Sequence, residues 1–431
     1  MKPCPRALPL ALLLALGVAA PVAGQEPEAF VVTGPGLVGR AVLHRTPQPG
    51  VPAVPVMAEL DYRVFRGDAS TRTRRVAHGL LLPSGVLELV DPPGAEGGTA
   101  VGAAGRVRGL DGGGGGAPTG GDRVQLQPDA LGYRGTVAGL PQRWRRAPRT
   151  DGLVVLLVPG LSTNLWNQHG IPYFDANRDA LRALGLEAYR IGTDDADRPV
   201  PGHPFSTQNS VADNARAIAR EIRTQAAFGK RVILFAHSKG ATDATAAVAL
   251  EPDLIPHLAG LVAIQPVYGG SAIADLAAHD ALTLAGVRLA LEGWAGGSRD
   301  AVVDLTRARR RAFVRDHPYP SDRVPTVVLR SSFSRSLFLM GRTPDGRRLR
   351  DPAKRLFQRA LRFNQRLISR RTGEDNDGMV TLGDQRIPGA VHLDVDDLDH
   401  FEPGLGMLSP HRPADLSVRL LEKLFALLER R

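Results

Sequence analysis

The sequence predicts an α/β protein: a mostly parallel central sheet with helices on both faces, preceded by a β-rich N-terminal region. From about residue 149, continuous apolar runs alternate with segments whose apolar residues recur at helical spacing, which indicates a covered parallel sheet. Before that point, short β-prone runs are separated by proline and glycine. The chain has 431 residues and is 43% hydrophobic, so it can bury a large core.

The balance of charges is basic but dispersed. Lys and Arg total 54 against 44 Asp and Glu, and aromatic residues make up only 5% of the chain. A nucleic-acid surface needs clustered basic residues together with stacking aromatic side chains. We therefore expect no nucleic-acid partner.

Residues 1–24 have the parts of a secretory signal peptide. Lys2 and Arg6 provide a positive start, the apolar run Ala7–Ala20 is too short to span a bilayer, and small residues follow for cleavage. We expect a secreted or periplasmic protein. Cys4 is the only cysteine and lies in this segment, so we expect neither disulfides nor a thiolate metal site in the mature chain.

Residues 25–148 form the predicted β-rich N-terminal region. Runs such as Phe30–Thr33 and Arg123–Gln127 favour strands and are bounded by turn residues. The interval from about 92 to 122 is glycine-rich, with five consecutive glycines at Gly112–Gly116. Ordering such a segment costs much backbone entropy, so we predict a flexible loop.

Residues 149–431 carry the predicted α/β domain. Ser210 and Asp213 form a capping-box-like helix start, and the residues after them have apolar positions at helical spacing. Further helices are expected at Asp175–Leu184, after Gly240, and at Ala414–Arg430. The predicted strands are Leu153–Val158, Leu186–Ile191, Arg231–Ala236, Leu261–Gln265, Val324–Arg330 and Ala390–Asp394.

A serine lies in a sharp turn between a predicted strand and a predicted helix. The sequence Ala236-His237-Ser238-Lys239-Gly240 resembles the G-x-S-x-G pentapeptide, which has meaning in this context. Such a turn needs small residues two positions before and after the serine, and it lifts the Ser238 hydroxyl clear of the sheet. The alternative is an ordinary serine in a strand-to-helix turn, because short motifs recur by accident.

Two backbone amides near this serine are candidates for an oxyanion hole. Lys239 begins the next helix, where backbone N–H groups lack intrahelical acceptors. Leu161 follows the tight turn Pro159-Gly160 at the end of another strand. Each such donor is worth roughly 10²–10³ in rate.

Beyond the pentapeptide, three further segments carry a family resemblance over about Asp151–Arg431. They are Gln265–Ser271 followed by Ala274-Asp275, Asn376–Val380, and Leu398–Phe401. With these, the chain resembles the α/β-hydrolase superfamily, and within it the bacterial secreted lipases and esterases. The resemblance implies the α/β-hydrolase fold.

The same resemblance implies a catalytic triad of Ser238 as nucleophile, Asp377 as acid and His400 as base. Two features depart from the family pattern: Pro159-Gly160 stands where many lipases have His-Gly, and a long insertion at about 331–375 precedes Asp377.

The position of His400 supports its role independently of the resemblance. It follows the last predicted strand within a loop, from which its ring can reach the serine. His237 is interpreted as structural, with its side chain pointing away from the serine, and His392 as a packed or edge residue. Four other carboxylates compete with Asp377 for the acid role: Asp394, Asp396, Asp397 and Asp399.

The competing carboxylates leave a metal hypothesis open. Calcium prefers carboxylate oxygens, so the loop Asp394–Asp399 is either a calcium site or a plain acidic surface. No organic cofactor is expected.

Residues 281–320 are interpreted as a lid. Ala281–Trp294 is apolar and Arg307–Arg311 contains four arginines, a pattern suited to peripheral contact with a lipid surface. An ordinary helix pair capping the sheet has the same pattern, and the arginine run is also typical of a solvated face.

These observations predict a carboxylic ester hydrolase that acts through an acyl-enzyme on lipid-like acyl esters. One alternative uses the same triad to transfer the acyl group to another alcohol or to cleave polyesters. Another is a non-catalytic hydrolase fold that binds lipid or protein through its N-terminal region.

Overall fold

The computed structural model describes residues 27–34, 37–46, 52–66, 69–90, 123–129, 132–137, 140–146, 150–161, 173–194, 198, 200–279, 299–333, 352–406 and 411–430. The signal peptide, the glycine-rich loop and the first part of the lid, 281–298, are predictions that lie outside these residues. In the described residues, each helix is too short or too polar to cross a lipid bilayer.

The chain divides into two compact units. One comprises Met1–Tyr62 with Arg72–Ala147, and the other comprises Arg63–Thr71 with Pro148–Arg431.

The N-terminal strands form a closed eight-stranded antiparallel barrel. Each strand neighbours the next along the chain, and the last pairs back with the first through Phe30 and Arg146. The ring of Phe30 lies 5.6 Å from that of Tyr133 and 6.4 Å from that of Trp144, which is buried. The strands are β1 (Glu28–Gly34), β2 (Leu37–Arg45), β3 (Val54–Arg66), β4 (Ala69–Leu81), β5 (Leu87–Val90), β6 (Arg123–Asp129), β7 (Gly132–Val137) and β8 (Leu140–Arg146).

A six-stranded sheet forms the centre of the second unit, and all its pairs are parallel. Every residue of Leu258–Ile264 is buried. Because successive side chains of a strand point to opposite faces, both faces are covered at that strand. The strands are β9 (Leu153–Val158), β10 (Glu187–Arg190), β11 (Arg231–His237), β12 (Leu258–Ile264), β13 (Thr326–Ser332) and β14 (Val391–Asp396). Their order in the sheet is β10-β9-β11-β12-β13-β14.

Helices connect the strands of this sheet. The predicted cap is present: the Ser210 hydroxyl accepts a 3.1 Å hydrogen bond from the Asp213 N–H. The helices are α1 (Asp175–Ala183), α2 (Val211–Ala227), α3 (Lys239–Leu250), the 3₁₀ helix Pro252–His257, α4 (Ala272–His279), α5 (Arg299–Val303), α6 (Arg307–Asp316), α7 (Pro352–Thr372), α8 (Glu402–Leu405) and α9 (Pro413–Leu428).

The helix α7 was not predicted and lies within the proposed insertion at 331–375. Its buried side includes Leu361 and Ile368, but Asn364 and Gln365 are buried between them. Buried amides interrupt the apolar spacing from which an amphipathic helix is recognised.

The arginine run is not a uniformly solvated face, so that interpretation is wrong for two of its members. Arg310 is only 2% exposed and lies over the ring of Phe313, 4.8 Å from its centroid. Burial lowers the pKa of Arg310 to about 10. Arg307 Nε donates to Asp384 at 2.9 Å, so these two side chains pack the helix α6 against its surroundings.

Candidate active site

Ser238 occupies a strained turn between β11 and α3. Its φ of 56° and ψ of −125° are unfavourable for a residue with a Cβ, and surrounding packing must maintain them. A Cβ on Gly240 would lie 2.4 Å from the carbonyl oxygen of Val158 and 2.5 Å from that of Pro159. The sequence predicts a small residue two positions after the serine, and the space there admits only glycine.

Ser238, His400 and Asp377 lie in one line of hydrogen bonds. The Ser238 Oγ is 2.7 Å from His400 Nε2, and His400 Nδ1 is 2.7 Å from Asp377 Oδ2. All three side chains are buried. The carboxylate accepts from Nδ1–H, which leaves Nε2 free to accept the serine hydrogen.

The Asp377 carboxylate is held in a single orientation. Its Oδ1 accepts from the N–H groups of Met379 at 2.9 Å and Val380 at 2.8 Å. Gln385 Nε2 donates to Oδ2 at 3.2 Å and to the Ser331 carbonyl at 3.0 Å. The role of Gln385 was missed, since a lone glutamine between turns carries no sequence pattern.

The two candidate oxyanion donors lie on backbone segments at Ser238. Lys239 is the first residue of α3, and Leu161 follows the turn Pro159-Gly160. A Cβ on Gly160 would lie 3.0 Å from the Ser238 Cβ, so this turn packs directly against the serine. Pro159, which departs from the family pattern, lacks only its own backbone N–H and does not remove that of Leu161.

The Lys239 side chain makes a buried ion pair. Its Nζ lies 3.0 and 2.8 Å from the two carboxylate oxygens of Asp243, one helical turn later. Asn214 Nδ2 donates to the same carboxylate at 2.7 Å. Only the backbone of Lys239 is therefore relevant to an oxyanion.

The hydrogen bonds of His237 go to the backbone of His400 and to the side chains of Gln265 and Tyr173. Its Nε2 lies 2.7 Å from the His400 carbonyl oxygen and 3.2 Å from Gln265 Oε1, and its Nδ1 contacts the Tyr173 hydroxyl. Burial, together with the neighbouring His400, lowers the pKa of His237 to about 3. The ring is therefore neutral at physiological pH.

Gln265 is a second buried side chain without a role in the sequence analysis. It follows β12 with φ of 46°, and its Nε2 donates to the Asp399 carbonyl at 2.8 Å and to the Ser331 hydroxyl. It opens one of the segments that carry the resemblance, but a glutamine after a strand does not by itself indicate a function.

The other carboxylates of the loop make different contacts. Asp394 pairs with Arg330 at 2.6 Å. The Asp399 Oδ1 accepts from the N–H groups of Phe401 and Glu402 at 2.8 and 3.1 Å, and burial raises the pKa of Asp399 to about 6. In the part of the chain that the structure describes, no three His, Cys, Asp or Glu side chains are grouped to hold a metal ion.

The chain is similar to lipases and esterases of known structure. A lipase of Bacillus licheniformis in its mature form is 21% identical, with 64% of this chain and 94% of that chain covered at a TM-score of 0.46. A metagenomic carboxyl esterase is 22% identical, with 71% and 82% covered at 0.45. An esterase of Pyrobaculum calidifontis is 13% identical, with 72% and 83% covered at 0.31.

The resemblance that the motifs indicate is thus found again among solved structures. No protein-family model and no curated protein matches the chain. Since the identities are below 25%, residue roles and substrates are not carried over from these proteins.

Proposed function

We propose that this chain is a serine hydrolase of carboxylic esters, with Ser238 as nucleophile, His400 as general base and Asp377 as the acid that orients His400. The observation that carries the proposal is the line of two 2.7 Å contacts from Ser238 through His400 to Asp377. The strained serine at the start of a helix supports it further, since unpaired N–H groups there can bind an oxyanion.

The reaction follows from these positions. Ser238 Oγ attacks the ester carbonyl carbon while its proton moves to His400 Nε2, and the N–H groups of Leu161 and Lys239 bind the oxyanion. The intermediate collapses, the alcohol leaves with the proton from Nε2, and the acyl group stays on Oγ. Water then attacks the acyl-enzyme with the same base, which releases the acid and restores Ser238.

The substrate class proposed is a lipid-like acyl ester, and the location proposed is secreted or periplasmic. The signal-like residues 1–24 support the location. The apolar composition of residues 281–294 supports the substrate class, together with Arg311 of α6, whose side chain is 66% exposed.

Covalent labelling tests the nucleophile. A fluorophosphonate probe should label the wild-type chain and fail to label Ser238→Ala, because only an activated serine reacts with it. Ser321→Ala is a matched control, since that hydroxyl bonds the carbonyl of Pro388 outside the site. Equal labelling of the wild type and Ser238→Ala would contradict the proposal.

Ester profiling tests the substrate class. Nitrophenyl esters of short and long acyl chains, with and without a lipid interface, should be cleaved with a preference for long chains at the interface. Product analysis with added acceptor alcohols separates hydrolysis from acyl transfer. A preference for short soluble esters would contradict the lipid-like assignment while leaving the triad intact.

A further inference from the structure

The loop that carries His400 is held by backbone contacts on two sides. The His400 N–H donates to the carbonyl oxygen of Asp377 at 3.0 Å, and the His400 carbonyl accepts from His237 at 2.7 Å. One residue earlier, the Asp399 carbonyl accepts from Gln265 at 2.8 Å. Two consecutive carbonyl oxygens are therefore held by side chains at the ends of the neighbouring strands β11 and β12.

The donor and the acceptor in each of these hydrogen bonds can be assigned. The Asp399 carbonyl can only accept, so the Gln265 amide nitrogen faces it and the amide oxygen faces His237. His237 Nε2 then lies between two acceptors, the Gln265 oxygen and the His400 carbonyl, and must carry the ring hydrogen. Nδ1 is left as an acceptor for the Tyr173 hydroxyl.

A neutral side chain is the suitable hydrogen-bond donor to the His400 carbonyl oxygen. The His237 and His400 rings lie 5.0 Å apart between centroids. His400 must become positively charged when it takes the serine proton, and a second cation so close would oppose that charge. A neutral imidazole donates the hydrogen bond without adding charge.

We propose that His237 and Gln265 are positioning residues for His400. These two side chains, called here the carbonyl clamp, hold the carbonyl oxygens of His400 and Asp399. They thereby fix the distance from the His400 ring to Ser238. The inference rests on the role proposed for His400. A base displaced by about 1 Å loses about 10²-fold in rate, so loss of the clamp should lower kcat more than it raises KM.

Kinetics of two variants at one position test the clamp. His237→Phe keeps a planar ring but removes the donor, and we expect kcat to fall about 10- to 100-fold with KM changed less than about threefold. His237→Gln restores an amide donor near the position of Nε2 and should recover most of the loss. His257→Phe is the matched control and should keep the wild-type kcat. His257 ends the 3₁₀ helix that precedes β12, at the amino end of that strand, whereas Gln265 follows its carboxyl end.

A measurement on the wild type covers the case in which His237→Phe does not fold. Nitrogen-15 NMR of the imidazoles should show His237 neutral with its hydrogen on Nε2 at neutral pH. A hydrogen on Nδ1, or a charged ring, would overturn the clamp.

The kinetic outcomes separate this inference from the proposed function. A folded His237→Phe with wild-type kcat, or a His237→Gln no better than His237→Phe, overturns the clamp while an inactive Ser238→Ala still supports the triad. Hydrolysis retained by Ser238→Ala overturns the triad itself, whereas the NMR result supports or overturns the clamp and leaves the triad untouched.

Discussion

The role proposed for Asp377 is to keep the ring hydrogen of His400 on Nδ1, the nitrogen that Asp377 contacts. Its Oδ1 accepts from two backbone N–H groups, so an amide at this position would keep its oxygen toward Met379 and Val380. In Asp377→Asn the NH₂ group would then face His400 Nδ1 and force the hydrogen onto Nε2. We expect kcat for ester hydrolysis to fall about 10³- to 10⁴-fold, because Nε2 could no longer accept the serine proton.

The control for this substitution is Asp394→Asn. Asp394 is half exposed and pairs with Arg330, so its loss should leave kcat unchanged. If both variants hydrolysed esters at the same rate, Asp377 would not be the orienting acid.

Asp399 gives the stability of the chain a defined pH dependence. Burial raises its pKa from 3.8 to about 6. Between these values the folded chain binds more protons than the unfolded chain, so stability falls as pH rises, by about 3 kcal/mol once pH exceeds 6. Asp399→Asn keeps the acceptor for the Phe401 and Glu402 N–H groups and removes the charge.

We therefore expect Asp399→Asn to raise the free energy of unfolding by about 1–3 kcal/mol at pH 8 and to leave it unchanged at pH 3. Urea unfolding at the two pH values measures this. A gain of the same size at both would show that the buried charge is not its source.

Individual residues show how much of the site could be predicted from the sequence. Ser238 could be located because a strand, a tight turn and a helix surround it. His400 and Asp377 could be located through the family motifs. The structure brings these three side chains together, and their catalytic roles stay a proposal. The contacts of Gln265 and Gln385 could not be predicted, since their acceptors on Asp399, Asp377 and Ser331 meet them only after the loops have folded.

At the scale of elements, the turn between β11 and α3 admits no side chain at Gly240. In Gly240→Ala the new Cβ would meet two carbonyl oxygens of the backbone, which cannot rotate away. We expect a loss of about 2–3 kcal/mol in the free energy of unfolding and slower fluorophosphonate labelling of Ser238. Gly383→Ala is the control, because its Cβ would meet only the flexible end of Glu374.

Calorimetry and timed labelling of the two glycine variants measure these effects. Equal stability of both would mean that the turn can widen without loss.

The helix α3 contains a buried ion pair between Lys239 and Asp243. Burial raises the pKa of Asp243 while Lys239 opposes that shift, so the carboxylate depends on its partner. Lys239→Met should lower the free energy of unfolding by about 3–5 kcal/mol, because it leaves the buried Asp243 carboxylate without its counter-charge. Adding Asp243→Leu should restore part of the loss, as measured by a double-mutant cycle.

Arg315→Met is the control for the ion pair. Arg315 and Asp316 are both mostly exposed, so breaking their pair should leave the melting temperature unchanged. If Lys239→Met were equally harmless, the buried pair would not stabilise α3.

Elements of the sheet were largely predictable, because their strands are continuous apolar runs between turns. The predicted ends of the strands differ from the observed ends by a few residues. The strand expected at Leu261–Gln265 is observed at Leu258–Ile264, and its first residues are as buried as the rest. The helix α7 could not be predicted from the apolar spacing, because the polar residues Asn364 and Gln365 lie on its buried side.

For the whole molecule, the division into two compact units predicts unfolding in more than one step. Each unit has its own buried core, so heating should give two calorimetric transitions. Labelling of Ser238, sampled during heating, should disappear with only one of them. A single transition with equal calorimetric and van't Hoff enthalpies would contradict independent cores.

Closure of the barrel could not be predicted from the sequence. The N-terminal runs indicate strands, but closure depends on the register by which Phe30 of β1 meets Arg146 of β8, more than a hundred residues later. Local patterns contain no information on such a pairing.

The last strand of the described sheet, β14, has a neighbour on one side only, and its outer backbone groups could template the addition of a foreign strand. Its sequence ends in Asp394, Val395 and Asp396, and Asp397 follows at a positive φ of 58°. Charged side chains and a backbone that bends away from the edge are among the devices by which natural proteins discourage edge-to-edge aggregation. The acidic residues that lead to His400 should therefore also discourage association of the molecules at high concentration.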